Sequence, residues 1–128
     1  MKPRHALTLS VLLGAALGAA AIQGLHAQIK RPAYVVVVIR NVGDVDGMKT
    51  VAEKTKPEAL AAAGGRYVIR TNDITALNGN PPKRYVLIAF DSIEQAQAWH
   101  NSPAQKEIDA LRIKSADSVS FMVEGVAN

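Results

Sequence analysis

Two uninterrupted apolar runs, two helical stretches each broken by a proline, and a Gly64-Gly65 turn between helix and strand predict an α+β chain. The order is β-α-β-β-α-β, which makes a four-stranded antiparallel sheet with both helical units on one face.

Ala33 to Ile39 reads Ala-Tyr-Val-Val-Val-Val-Ile. A strand with no polar alternation has both faces covered and belongs at the centre of its sheet. Arg40 to Gly43 reads as a loop, after which Asp44 or Asp46 caps a helix with Val45, Met48, Val51 and Ala52 on its buried side. Thr55-Lys56-Pro57-Glu58 pairs a capping Thr with a Glu three residues on and a proline near the first helical position. The helix therefore restarts there, carrying Leu60 and Ala63 to Gly64. Gly64 suits the left-handed end of a helix, and Gly65 lets the next strand pack close beneath.

That strand, Arg66 to about Thr71, alternates Arg66, Val68 and Arg70 against Tyr67, Ile69 and Thr71, as at a half-exposed edge. Ile74 to Leu77 is expected to resume pairing after a bulge, before the Asn78-Gly79-Asn80-Pro81-Pro82 turn. Tyr85 to Phe90 is the second central strand. Ser92 with Gln95, and Asp91 with Glu94, have capping-box spacing ahead of Ile93, Ala96 and Trp99. Ser102-Pro103 restarts that helix with Ala104, Ile108 and Leu111 as its face. Ser118 to Glu124 closes the sheet, with Val119, Phe121 and Val123 alternating against Ser118, Ser120 and Met122.

Composition removes whole classes of chemistry. The 128 residues hold one domain, and 48% hydrophobic content is enough for a core. There is no cysteine, so disulfides, thiolate catalysis and zinc-cysteine sites are excluded. Of three histidines, His5 and His26 lie in the N-terminal segment, which leaves His100 alone and no multi-histidine metal site. The formal charge is +4. Removing Lys2 and Arg4 from the fifteen basic residues leaves thirteen against eleven acidic ones, spread along the chain rather than striped. Nucleic acid is therefore not an expected partner.

Met1 to His5 is basic, Ala6 to Ile22 is an uncharged run of 17 residues, and a more polar stretch ends in Ala27. That layout predicts a signal peptide over residues 1–27, removed to leave one domain over 28–128 that is exported, periplasmic or secreted. Leu25 departs from the small residue preferred before the cleavage point, so cleavage after Ala21 is the alternative. An uncleaved anchor is the other reading, because 17 apolar residues reach the lower limit for a span. After cleavage no stable membrane anchor is expected.

The two central strands are apolar on both faces, yet the helices cover one. Val36 and Val38 would stand exposed unless a second copy of the sheet covers them, so the chain is expected to form a homodimer packed sheet to sheet. A long loop or a bound ligand across the sheet is the competing cover.

Several residues together resemble a known family: Pro32-Ala33-Tyr34-Val35-Val36, Val45-Asp46-Gly47, Ala63-Gly64-Gly65-Arg66-Tyr67, Arg70, and Leu77 with Gly79. Pro81-Pro82, Ala96 to Trp99, Asn101-Ser102, Leu111-Arg112 and Val123-Glu124-Gly125 continue the match. From about Pro32 to Val126 the chain is similar to the domain of unknown function 1330 family, in the dimeric α/β barrel superfamily. The resemblance implies a ferredoxin-like fold paired into a sheet-to-sheet barrel, and the family's own name assigns no activity. Relatives in the superfamily include cofactor-independent monooxygenases, haem proteins and lactone isomerases. Family members commonly carry tyrosines where this chain has Met48, Val51 and Gln105, and acidic residues where it has Val38 and Asn78.

Arg66 and Arg70, read as sharing a strand face, are candidates to grip a carboxylate, though charged residues also protect an edge strand. Arg112 and Tyr34 are further ligand-binding candidates, and Arg112 is equally placed to pair with Asp109. His100 and Tyr67 are weak catalytic candidates, with no nucleophile evident beside them. Trp99 reads as core, and tyrosines on strands are more often packing residues. No phosphate loop, nucleophile elbow or metal motif occurs. The expected protein is a small exported dimer that binds a small organic ligand or serves as a structural module, without a tightly held cofactor. The alternative is a cofactor-independent oxygenase- or isomerase-like enzyme on an aromatic or lactone-like substrate.

Overall fold

In a computed structural model of the chain, residues 31–127 are described. The segment read as a signal peptide, with its cleavage after Ala27, lies outside them.

Strand β1 (Ala33–Val42) leads to helices α1 (Val45–Lys54) and α2 (Pro57–Ala62). Strands β2 (Gly65–Thr71) and β3 (Arg84–Phe90) follow, then helices α3 (Ile93–His100) and α4 (Pro103–Ser115), and finally β4 (Ala116–Glu124). The four strands form one sheet in the order β2-β3-β1-β4, and every pairing is antiparallel. This is the α+β, ferredoxin-like arrangement, with the two apolar strands β1 and β3 in the middle.

The local signals act as capping chemistry requires. The Asp44 carboxylate accepts the Gly47 N–H at 3.0 Å, and the Ser92 and Ser102 hydroxyls accept the N–H groups of Gln95 and Gln105. At the α1–α2 restart the expected Thr cap is replaced. Thr55 instead closes α1, donating its hydroxyl to the Val51 carbonyl at 2.8 Å, while Lys56 precedes Pro57 without a side-chain cap. The proline alone sets the start of α2. Gly64 has φ +87°, the left-handed conformation that ends α2.

Along β1 the odd residues Ala33, Val35, Val37 and Ile39 join Val86, Ile88 and Phe90 of β3 in a core under Leu60, Ala96 and Trp99. Phe90 and Trp99 lie with ring centroids 5.3 Å apart. The even residues of β1 face away from the helices. Val36 is paired with Leu87 and Phe121, Tyr34 with Ala89 and Val123, and Val38 with Tyr85 and Val119. Strand β4 therefore turns its apolar set to the helix-free face and its Ser118, Ser120 and Met122 to the helix face.

The buried face of α1 is not the expected one, since Gly47 and Val51 are its buried positions while Val45 and Ala52 are exposed. Three expectations about the sheet change as well. β1 continues through the expected loop at Arg40 to Val42, because β4 pairs with it as far as Val42–Ala116, past an irregularity between Ile39 and Asn41. Ile74 to Leu77 does not rejoin the sheet, and Leu77 is 99% exposed. The bulge falls earlier, between Tyr67 and Ile69. The third correction follows from that bulge: Arg66 pairs with Ala89 on the open face, whereas Arg70 pairs with Val86 on the helix face. One extra residue inverts the alternation, so Arg66 and Arg70 do not share a face.

Candidate functional site

A cavity of about 740 Å³ lies between the helix face of the sheet and the helices above it. Its sheet side is Val37 and Ile39 of β1 with Val86 and Ile88 of β3. Met48, Val51 and Ala52 of α1 line it, as do Leu60 of α2, Trp99 of α3 and Ile108 of α4. Sites for small molecules occupy about 300–1,000 Å³ and are mostly apolar with a few placed polar groups; this cavity has that size and that character.

The placed polar groups are all cationic or neutral. Lys49, Lys54, Arg70, Lys83, Arg84 and Arg112 line the cavity, and among the described residues no Asp or Glu does. Arg70 arrives there because of the bulge in β2. Its guanidinium lies 4.6 Å from the Tyr67 ring centroid, and Nη2 donates to Thr55 Oγ1 at 3.4 Å. Arg84 belongs to the same face, opposite Ile39, two residues before the Val86 that pairs with Arg70. It donates Nη1–H to Asn72 Oδ1 at 2.8 Å. Burial and then the neighbouring Arg70 charge hold Arg84 below its ordinary pKa, with Tyr67 opposing. Neither guanidinium meets a carboxylate among the described residues.

Arg112 comes from α4. The expected face of Ala104, Ile108 and Leu111 is rotated, so that Gln105, Ile108, Arg112 and Ser115 are the buried positions. Arg112 is only 7% exposed. Its Nη1 lies 2.9 Å from Asp109 Oδ1, its Nη2 reaches Ser120 Oγ at 3.4 Å, and its buried Nε–H has no partner. Gln105 also donates to Asp109 Oδ1, at 2.9 Å.

The other candidates fall elsewhere. His100 sits at the end of α3 with Nδ1 3.2 Å from Asp109 Oδ2, half-exposed and outside the cavity lining. Tyr67 contributes its ring to the cavity, while its hydroxyl donates to the Thr55 carbonyl. Tyr34 lies on the helix-free face. Arg66 lies there too, 3.9 Å from Asp91 at the surface. Arg84 is not among the sequence candidates. The signal available was its place at the mouth of a central apolar strand, on the parity of Val86 and Ile88. Met48, Val51 and Gln105 all line the cavity. Among the described residues no group of acidic and histidine side chains is arranged to hold a metal.

The sequence profile described as Domain of unknown function (DUF1330) matches residues 32–126. Among solved structures, a protein of unknown function from Rhodopseudomonas palustris is similar, at 15% identity and a TM-score of 0.58. The match covers 76% of this chain and 84% of that one. A dimeric ferredoxin-like protein of unknown function from Thermobifida fusca is similar at 17% identity and a TM-score of 0.54, over 75% of this chain and 92% of that one. At such identities the likeness is one of fold. No curated protein matches the chain.

Proposed function

This chain belongs to the domain of unknown function 1330 family, and on that footing we propose that it is an exported, homodimeric binding protein for a small organic molecule. The observation that carries the binding reading is the cavity of about 740 Å³, apolar on its sheet side and edged by polar side chains. Binding is favoured over catalysis by where the reactive groups lie. The Tyr67 hydroxyl is committed to a backbone carbonyl, and His100 is tied to Asp109 outside the cavity.

The dimer is supported by the face turned away from the described helices, on which β4 exposes Val119, Phe121 and Val123; Val36, expected to stand open there, is already buried within the single chain, and Val38 is half-buried. A second sheet covers such a face with the least added structure. Export rests on the layout of Met1 to Ala27, basic then apolar then polar.

Native mass spectrometry of the protein recovered from its exported form tests all three parts. The expected spectrum is a dimer, shortened by the N-terminal segment, carrying the extra mass of a small molecule. A chain still holding Met1 to Ala27 overturns export, a monomer overturns the dimer, and a species that takes up no small molecule at any concentration overturns the binding reading.

A further inference from the structure

Resting on that cavity reading, we infer that the ligand is an organic anion: a negatively charged head held by Arg70 and Arg84, with an apolar body lying along the sheet toward Arg112. Three observations lead there. The first is a charge pair without a counter-charge. Arg70 and Arg84 lie on one face of adjacent strands, as diagonal neighbours about 7–8 Å apart at Cα, and their partners are Thr55, Asn72 and the Tyr67 ring. Two guanidinium groups side by side repel, and a protein that only needed to fill the position would do so more cheaply with one neutral residue. A carboxylate, sulfonate or phosphate between them converts the repulsion into two charge-assisted hydrogen bonds.

The second observation is the sign of the whole cavity. Six of its lining residues are cations, of which Arg112 is paired with Asp109, and none is acidic among the described residues, so the charge a ligand meets at the cavity edge is positive. The third is the geometry of one cross-strand row. Arg70 pairs with Val86, Val86 with Val37, and Val37 with Ser120, which is the residue that Arg112 Nη2 reaches. Three strand spacings of about 4.8 Å separate the two ends of that row, so roughly 14 Å of sheet runs from one arginine site to the other. Its middle is two valines. At the far end the Arg112 Nε–H is buried without a partner, which leaves one donor unspent in a residue that lines the cavity. A body of two or three rings, or a short alkyl chain, matches that span.

The test uses the purified full chain and two fluorescent probes of nearly the same shape, anilinonaphthalene sulfonate and its uncharged analogue phenylnaphthylamine. The sulfonate is expected to bind at least about tenfold more tightly, and Arg70→Gln and Arg84→Gln each to weaken it about tenfold while leaving the uncharged probe within about twofold. Ala52→Trp, which fills the cavity from an exposed helical position, is expected to weaken both probes. If the two probes bind alike and neither arginine variant separates them, while Ala52→Trp removes both, the anion assignment is wrong and the cavity reading stands. If Ala52→Trp changes neither probe, the cavity itself is not the binding site and both readings fall.

Discussion

Arg84 carries a cost that the unliganded protein has no evident reason to bear. Its guanidinium is held below its ordinary pKa by burial first and by Arg70 second. For a base, a folded-state pKa below the unfolded one means that folding disfavours the charged form. That disadvantage is present at every pH below the folded pKa and disappears only in strong alkali. Arg84→Gln removes the charge and is expected to stabilise the ligand-free protein by about 0.5 kcal/mol, a small figure because the group is partly solvated and screened. A urea titration at neutral pH checks this, as a raised midpoint at unchanged slope. Together with weaker binding of the anionic probe, it would separate a lost ligand contact from a damaged fold. A lowered midpoint would mean that the hydrogen bond to Asn72 outweighs the repulsion from Arg70.

Among the elements, the turn from α2 into β2 shows how far sequence reasoning reaches. Gly64 and Gly65 announce it, and each is required for a different reason. Gly64 takes φ +87°, while a Cβ on Gly65 would stand 2.8 Å from both Leu60 Cδ1 and the Phe90 ring. Phe90 and Leu60 are buried, so neither has an easy way to yield. Gly65→Ala is expected to destabilise the protein by about 1–3 kcal/mol, as overpacking of a filled core does, read from the denaturation midpoint. A few residues later the same method fails. Strict alternation places Arg66 and Arg70 on one face, and the bulge at Tyr67 to Ile69 puts them on opposite faces. Nothing local in Tyr67-Val68-Ile69 marks a bulge, since all three are good strand residues and no glycine stands among them. The inversion is legible only in the pairing with β3. For the same reason Arg84 was invisible as the neighbour of Arg70: their proximity depends on register between two strands, not on spacing within one. The rotated face of α4 has a similar cause. Arg112 is a surface residue by type, and its burial follows from partners, Asp109 one turn back and Ser120 on β4.

At the scale of the whole sheet, the described residues give it two apolar faces and one set of helices. Even residues of β1 and odd residues of β4 converge on the helix-free side, where Phe121 is 49% exposed and Val119 and Val123 are similarly open. Were β4 built only for its own subunit, the apolar set would point to the helices and the serines to water; the parity is the reverse. A partner sheet resolves this, because burying those side chains is worth about 25 cal/mol per Å² removed from water. Phe121→Asp places a charge at the middle of that face without touching the core beneath the helices. The expected outcome is a folded monomer by light scattering and circular dichroism, against a dimer for the unsubstituted chain. Thermal unfolding supplies an independent reading, since a midpoint that rises with protein concentration reports dimerisation coupled to folding. A Phe121→Asp chain that remains a dimer, or an unsubstituted chain whose midpoint ignores concentration and whose mass is that of one subunit, would place the interface elsewhere. The face would then need another cover.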